Sequence, residues 1–534
     1  MKRDYLLSMI KELVAIPSVT ESAEESAPGA WLRARLEKLP YFAENPAHLI
    51  TAETPLEGSP HALKSLVARV DAAKPTKRTV LMVSHYDVVD VTVYGDIAEH
   101  AFDAEKLGEI FGADEDTLYG RGVMDMKCGV ALEAALIEEF AADRTLFDVN
   151  VVAAFVGDEE NSSAGMRGAL PVLARMMKDD GLEFIAALNT EPGEAGKSGL
   201  VGPMVYLGTL GKLMPSFYMR GRGAHVGNCY DGFSAALAVS RLVCAAEGNR
   251  YLADPLHGVC EPSWICLDMK VLRENYSVTV PDRAYAYFNC FTTGNTPEKV
   301  MNQMKGLASR ALAETSAQLA ESCEALTEMG YDGSRFVPAE PVVYTLGELE
   351  ALARGRRGEK FDAELDEFIK NLPPGDMRMR GIRVVDFIAD MSGAEGPYAV
   401  CFFLPPWMPP RTDFTSDPRD AKIVEAARAV EKLCREKYGL EMTEVELFAG
   451  LCDLSYAGAK VSDGDVKVLS ENTPGWGELY GLPLPEMRAL GVPIMNLGPS
   501  GEAPHKKDER LHLRYSLDVL PELLYAAIRE IAKR

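Results

Sequence analysis

Residue types that bind metal ions cluster at three turns of this sequence. They are His85 and Asp87 after the apolar run 80–84, Asp125 in the glycine-rich segment 120–129, and Glu159 and Glu160 after the apolar run 151–156. Each turn follows a predicted strand or precedes a predicted helix. Because ligands of an open α/β sheet bind beyond the carboxyl ends of its strands, these side chains are expected to converge there. One histidine and several carboxylates suit a hydrolytic zinc centre.

The position of each residue favours a particular role. In an extended chain Asp87 points to the same side as His85, so its carboxylate suits holding the imidazole in one tautomer. Asp125 lies between glycines, where the backbone takes unusual angles, and this suits a ligand that bridges two ions. Of Glu159 and Glu160, one suits a metal ligand and the other a general base.

Two further residues complete the candidate set. Glu191 ends another predicted strand, and His505 lies in the polar segment 498–509. Taken singly, such residues have structural alternatives, since a Glu-Glu pair is typical of solvated surface and Asp125 is placed to cap the helix that follows it. Their joint occurrence at strand ends, in a chain with only 8 histidines, favours the metal site.

Five short motifs resemble those of a known family. They run in order from residue 80 to the end, and they are His85-Tyr-Asp-Val-Val89, Gly120-Arg-Gly-Val-Met-Asp-Met-Lys127, Gly157-Asp-Glu-Glu160, Gly223-Ala-His225, and Gly498-Pro-Ser with His505-Lys-Lys-Asp-Glu509. The ensemble resembles the zinc-dependent peptidases and deacylases that include carboxypeptidase G, succinyl-diaminopimelate desuccinylase and aminoacylase. The stretches 401–409 and 452–456, together with the length, are similar to a longer branch of that family linked to arginine utilisation.

The resemblance implies a ligand set for two divalent ions. His85, Asp125 and Glu191 would hold one zinc ion. Asp125, Glu160 and His505 would hold the other, so that Asp125 alone is shared. Cobalt and manganese are alternatives to zinc, because ligand type does not fix the metal.

The resemblance also implies catalytic roles. Glu159 would be the general base, and Asp87 would orient His85. His225 resembles the small-domain histidine that, in dimeric relatives, reaches into the partner subunit's site and stabilises the oxyanion, so the resemblance allows a homodimer. The alternative for His225 is a structural histidine in a glycine-rich turn.

The implied reaction is attack of a metal-bound hydroxide on an amide carbonyl of a small peptide or N-acyl amino acid. The rival hypothesis is a catalytically silent relative that binds metal or a metabolite in arginine or amino-acid metabolism. The intact Glu159 and the complete ligand set argue against that rival.

Three positions depart from the family pattern. Asp90 stands where a proline often follows the first motif, and Asn289-Cys-Phe291 stands where an arginine commonly contacts a substrate carboxylate. The second departure puts a preference for a free C-terminal carboxylate in doubt. Glu191 is farther from Glu160 than the pattern suggests, so Glu194 is an alternative ligand.

The order of apolar runs predicts an α/β fold with two domains. Strand-like runs alternate with helical periodicity up to residue 207, which favours a mainly parallel sheet flanked by helices. We expect a catalytic metal-binding domain at 1–207 and 410–534, and an inserted α+β lid or dimerisation domain at 208–409. The insertion has predicted strands at 276–280 and 284–291, and a helical extra segment at 322–395.

Composition excludes several function classes. The formal net charge of −24 argues against nucleic acid as a partner, because phosphate binding needs clustered Lys and Arg. No stretch has the ~18 uninterrupted apolar residues of a membrane span. The ten cysteines form no CxxC pair, which indicates free thiols and a reducing, cytoplasmic compartment.

Overall fold

The computed structural model describes residues 1–56, 61–194, 203–256, 260, 262–273, 275–336, 340, 342–414, 417–448, 450 and 452–533. The chain divides into two compact units. Unit 1 comprises Met1–Leu210, Pro409–Lys460 and Pro483–Arg534, and unit 2 comprises Gly211–Met408 and Val461–Leu482. Each unit has its own principal sheet.

The strands, numbered in chain order, are β1 Leu49–Pro55, β2 Ala62–Val70, β3 Arg78–His85, β4 Thr117–Tyr119, β5 Asn150–Val156, β6 Glu183–Asn189, β7 Gly193–Glu194, β8 Met204–Thr209, β9 Gly211–Leu213, β10 Pro215–Arg220, β11 Ile265–Val271, β12 Arg283–Thr292, β13 Val342–Thr345, β14 Tyr398–Phe403, β15 Thr443–Phe448, β16 Ile494–Asn496, β17 Ser500–Glu502 and β18 Arg510–His512.

The α-helices are α1 Arg3–Val14, α2 Ala27–Leu36, α3 Pro40–Glu44, α4 Ala104–Phe111, α5 Cys128–Ala142, α6 Ala164–Asp179, α7 Ala235–Ala246, α8 Pro297–Glu328, α9 Leu346–Arg357, α10 Lys360–Lys370, α11 Met377–Ser392, α12 Asp420–Tyr438, α13 Leu454–Ala457, α14 Asp463–Asn472, α15 Leu484–Leu490 and α16 Leu520–Ala532. In the part of the chain that the structure describes, no helix is long and apolar enough to cross a membrane.

Unit 1 is built on an eight-stranded sheet with the order β1-β2-β5-β3-β6-β16-β8-β15. Its middle strands β5, β3, β6 and β16 are parallel, whereas β1 and β2 form an antiparallel edge. The predicted α/β class is confirmed, although the sheet is mixed: four of its strand pairings are parallel and three are antiparallel.

The middle strands are apolar on both faces because helices cover both faces. Val80 and Met82 of β3 belong to a core that also contains buried side chains of α1, α5 and α16. Leu81 and Val83 alternate with them and are equally buried. Unit 1 also contains a smaller sheet, with the order β4-β18-β17-β7.

Unit 2 has a six-stranded sheet with the path β11-β12-β10-β14-β13, and β9 pairs with β12. A hydrophobic core of unit 2 joins this sheet to α9 and α11. The segment predicted to be a helical extra at 322–395 contains α9, α10 and α11, and it also contributes the edge strand β13.

Two details of the predicted organisation are wrong. The segment 461–482 belongs to unit 2, because α14 packs on α8 and α9, whereas the sequence placed it in the catalytic domain. The expected strand at 276–280 does not form: Thr279 makes only an isolated bridge with His225. Among the residues that the structure describes, the backbone pairing there is confined to residues 224–226, since Val226 donates to the carbonyl of Val278 and Val280 donates to the carbonyl of Ala224. Arg273 adds a side-chain hydrogen bond to the carbonyl of Thr279, at 3.1 Å.

Candidate metal centre

Three neighbouring parallel strands bring the predicted ligands to one edge of the unit 1 sheet. His85 is the last residue of β3 and pairs in register with Val156, the last residue of β5. Val83 of β3 pairs with Asn189, the last residue of β6. The residues that follow β5 and β6, which include Glu159, Glu160 and Glu191, therefore leave the sheet beside His85.

Asp125 and His505 reach this edge from the smaller sheet of unit 1. Asp125 lies between β4 and α5, in a segment that Gly122 opens with a φ of 72°. A Cβ at Gly122 would come within 2.3 Å of Val88 Cγ1, so this tight approach requires glycine. His505 lies in the turn between β17 and β18, with a φ of 63°.

His85, Asp125 and Glu191 form the first group of potential ligands. His85 Nε2 lies 3.2 Å from Asp125 Oδ1 and 3.3 Å from Glu191 Oε1. His85 and Glu191 are buried, and Asp125 is nearly so. The ligand atoms of all three lie within 4.8 Å of one another, which is close enough to share one ion.

The second group contains Asp125, Glu160 and His505. His505 Nε2 lies 3.0 Å from Glu160 Oε1 and 3.3 Å from Asp125 Oδ2. The two oxygens of Asp125 thus face different histidines, Oδ1 towards His85 and Oδ2 towards His505. A carboxylate that presents one oxygen to each of two imidazoles has the arrangement of a bridging ligand.

Burial and mutual charge perturb the acid–base properties of these groups. Burial alone would lower the pKa of His85, but the charge of Glu191 and a hydrogen bond with Asp125 raise it well above its ordinary value. Burial raises the pKa of Glu191 to about 8. Burial alone would also raise the pKa of Asp125, but hydrogen bonds with His505 and His85 hold this pKa well below its ordinary value. Such opposed shifts are typical of functional sites.

In the described part of the chain, the buried carboxylates of this donor set are short of hydrogen-bond and cationic partners, and metal ions would supply them. Glu159 Oε2 lies 3.9 Å from His85 Nε2, while Glu159 Oε1 is buried and has no hydrogen-bond partner among the described residues. Burial raises the pKa of Glu159 well above its ordinary value, and the charges of Glu191 and Glu160 add to the effect. Several carboxylates packed this closely need a cationic partner, and an imidazole–carboxylate set suits a divalent ion.

Asp87 contacts His85 mainly through its backbone carbonyl, whereas the sequence predicted contact through its carboxylate. Its backbone carbonyl lies 3.1 Å from His85 Nδ1, and its carboxylate Oδ1 is farther away, at 3.5 Å. The fully buried carboxylate instead accepts the backbone N–H groups of Glu159 and Glu160, each at 3.2 Å. Asp87 therefore joins the end of β3 to the turn that carries both glutamates.

Of the other predicted residues, His225 lies in unit 2 and is exposed. Its Nδ1 accepts the backbone N–H of Gly227 at 3.1 Å, so the neutral ring carries its proton on Nε2. The side chain of the alternative ligand Glu194 lies outside the described residues. Asp90, which replaces the expected proline, accepts the N–H of Thr92 at 2.7 Å and so closes its own turn.

Glu133 and Asp453 are among the buried acids to which the sequence interpretation gave no role. Glu133 of α5 accepts the hydroxyls of Ser84 and Thr190, the residues that precede His85 and Glu191. A single glutamate in the otherwise apolar residues 128–137, the first part of α5, was the available signal. Asp453 is also buried, and burial raises its pKa to about 7. It lies in the stretch 452–456, which the sequence resemblance had singled out without giving it a role.

The fold and this cluster agree with a known enzyme family. Residues 81–530 match the model of peptidase family M20/M25/M40, and the chain belongs to this family. The predicted membership is confirmed.

Two relatives from Bacillus subtilis (strain 168) extend over almost the whole chain. The uncharacterized protein YqjN is 31% identical over 100% of this chain and 97% of its own length. Protein RocB is 27% identical over 97% of this chain and 93% of its own length, which supports the expected likeness to the longer branch. The solved structure of a family M20 metallo-carboxypeptidase, Sso-CP2 from Sulfolobus solfataricus, has a TM-score of 0.56 at 12% identity, covers 98% of this chain and 99% of its own, and supports the fold.

Proposed function

We propose that this member of the peptidase family is a hydrolase that uses two divalent metal ions, zinc in preference to cobalt or manganese, to cleave an amide bond. The substrate class is a small peptide or N-acyl amino acid. The observation that carries this proposal is the bridging position of Asp125, with one carboxylate oxygen towards His85 and the other towards His505. A single structural ion would not need a carboxylate shared in this way.

In this proposal His85, Asp125 and Glu191 hold one ion, and Asp125, Glu160 and His505 hold the other. When bound, the two ions supply a Lewis acid that polarises the scissile carbonyl and promotes ionisation of water. Asp87 keeps the imidazole of His85 in one orientation through its backbone carbonyl. It also fixes the turn that carries Glu160.

We assign the proton transfer to Glu159. Its carboxylate is buried beside the ligand cluster, and Oε1 makes no hydrogen bond to any described residue that would compete for a proton. Burial raises the pKa of Glu159 well above its ordinary value, so its carboxylate is a stronger proton acceptor than that of an exposed glutamate. Glu159 would accept a proton from the attacking water and return it to the leaving amine.

The experiment combines metal removal with two matched glutamate variants. Chelation should abolish hydrolysis of a panel of dipeptides and N-acyl amino acids, and added Zn²⁺, Co²⁺ or Mn²⁺ should restore it. Glu159→Gln should keep both ions and lose ~10² to 10⁴-fold in turnover. Glu160→Gln should instead lower metal occupancy. Hydrolysis that persists in the chelated protein would refute the proposal, and a metal-loaded protein inert to the whole panel would favour a silent binding protein.

For unit 2 we propose the role of a lid that carries His225. With Nδ1 engaged by Gly227, the Nε2–H of His225 is free to donate to a developing oxyanion, and His225 is exposed enough to meet a ligand. We also propose a reducing, cytoplasmic compartment, because none of the ten cysteines forms a disulfide bond.

We further propose that unit 2 pairs with a second copy of itself along β11. This strand ends the described path of its sheet, and its alternate residues Ile265, Leu267, Met269 and Val271 are all exposed. Antiparallel pairing of one strand with its own copy satisfies twofold symmetry. Leu267→Asp should halve the mass measured by light scattering, and a wild-type protein that is already monomeric would exclude this dimer.

A further inference from the structure

Glu509 closes the last sequence motif, and its carboxylate binds the loop that carries Asp125. The side chain is 1% exposed. Oε2 accepts from Arg121 Nη1 at 2.8 Å and from the backbone N–H of Gly122 at 3.2 Å. Oε1 accepts from the backbone N–H groups of Met124 and Asp125, at 3.2 and 3.3 Å. One buried carboxylate therefore takes four N–H donors from a run of five residues.

Arg121 extends this contact to the turn that carries His505. Arg121 is also 1% exposed, and its Nη2 donates to the backbone carbonyl of His505 at 3.3 Å. Strand pairing brings the partners together, since Arg510 of β18 lies opposite Tyr119 of β4. The pair formed by Glu509 and Arg121 thus contacts the backbone on both sides of the second ligand group.

We propose that Glu509 is a positioning residue that sets the distance between Asp125 and His505, and thereby the affinity for the second metal ion. This inference rests on the proposed two-ion centre. The first group has only Asp125 in common with this network, and the strand ends of β3 and β6 hold His85 and Glu191 independently. Loss of Glu509 should therefore weaken the second ion more than the first.

The chemistry of the donors predicts that an amide cannot replace this carboxylate. All four donors are N–H groups, which cannot accept a hydrogen bond. In Glu509→Gln, the amide NH₂ would face N–H groups of the loop whichever way it is turned. A buried donor would be left without an acceptor, and the loop would have to move away.

Glu133 provides the matched control. It is also a fully buried glutamate, but its two partners are the hydroxyls of Ser84 and Thr190, at 3.0 and 2.9 Å. A hydroxyl can rotate and accept from an amide NH₂. Glu133→Gln should therefore keep the hydrogen bonds around residue 133, whereas Glu509→Gln should break those around residue 509. Both replacements remove one buried carboxylate and keep the side-chain shape.

The test is calorimetric titration of the metal-free full-length protein with Zn²⁺. Wild type should bind two ions, and Glu133→Gln, whose contacts lie beside ligands of the first ion, should bind the second ion with a dissociation constant within about threefold of wild type. Glu509→Gln should keep the first ion and lose ~10- to 100-fold in affinity for the second, the range found when residues that support metal ligands are removed. Circular dichroism checks that each variant is folded.

Arg121→Lys is the second variant, because it keeps the buried positive charge but not the fork that reaches both Glu509 and His505. It should weaken only the second ion, by a smaller factor. The inference is overturned if Glu509→Gln or Arg121→Lys titrates like wild type, or if Glu133→Gln loses the second ion as Glu509→Gln does. A wild-type protein that binds fewer than two ions would instead remove the two-ion centre itself.

Discussion

Replacing Asp87 with asparagine should slow turnover without unfolding the protein. The Asp87 carboxylate accepts the N–H of Glu159 through Oδ1 and the N–H of Glu160 through Oδ2, and it also accepts the hydroxyl of Thr20. Asparagine has only one acceptor oxygen at this position. In either orientation its NH₂ group faces one of the two backbone N–H groups, so one donor of the glutamate turn loses its acceptor.

The cost follows from that one donor. A buried N–H left without a partner costs about 1–3 kcal/mol, and hydrogen bonds to a charged acceptor lie towards the upper end. If this cost falls on the arrangement that positions Glu159 for proton transfer, it corresponds to roughly a 5- to 150-fold loss of kcat/KM, at about 1.36 kcal/mol per tenfold. The backbone carbonyl that contacts His85 is unchanged by the substitution, so we expect the first ion to remain bound.

Asp103→Asn is the control for this prediction. Asp103 also accepts two backbone N–H groups, from Glu105 and Lys106, but it caps a helix at an exposed position, where asparagine is an equally good cap. Steady-state kinetics, metal analysis and thermal melts of the two variants and wild type give the comparison. Asp87→Asn with kcat/KM within twofold of wild type and an unchanged melting temperature would refute the reasoning.

Three other perturbations have defined outcomes. Asp125→Ala should remove both ions, whereas His85→Ala should mainly weaken one, and full metal content in Asp125→Ala by elemental analysis would contradict the shared ligand. His225→Ala should reduce turnover roughly 10²- to 10³-fold with unchanged metal content and melting temperature, and near-normal turnover would leave it a structural histidine. Asp453 has a folded-state pKa of about 7 against 3.8 ordinarily, so it destabilises the fold increasingly as pH rises from about 4 to 7. Metal-free Asp453→Asn should therefore gain stability over wild type across that range, by on the order of 4 kcal/mol in chemical denaturation at pH 8, and a pH-independent difference would contradict this.

The sequence predicted the α/β fold of unit 1 because its signals are local. The apolar run 80–84 and the residues after it lie within one strand and its exit turn, where periodicity and residue type are informative. The convergence of His85 and Glu191 also follows from strand order, since the parallel neighbours β3 and β6 end at one edge. Asp125 joins them from the smaller sheet, which strand order in the large sheet does not predict. His505 was predicted from the order of the family motifs, because no spacing in the sequence connects this residue with β3.

Other features depend on contacts that span hundreds of residues. Glu509 binds a loop that lies more than 380 residues earlier in the chain, and no periodicity encodes such a pairing. The segment 276–280 has the residue types of a strand, but its backbone pairing is limited to a single bridge beside His225, and Arg273 adds hydrogen bonds from a side chain. The segment 461–482 follows a stretch of unit 1, and only the packing of α14 assigns it to unit 2.

Anomalous X-ray diffraction at the zinc edge, on crystals of the zinc-loaded protein, tests the central claim most directly. The proposed centre predicts two peaks about 3.5–4 Å apart, as in other two-metal sites, with Asp125 between them. One peak should lie against His85 and Glu191, and the other against Glu160 and His505. A single peak, or zinc bound away from Asp125, would contradict the two-ion centre.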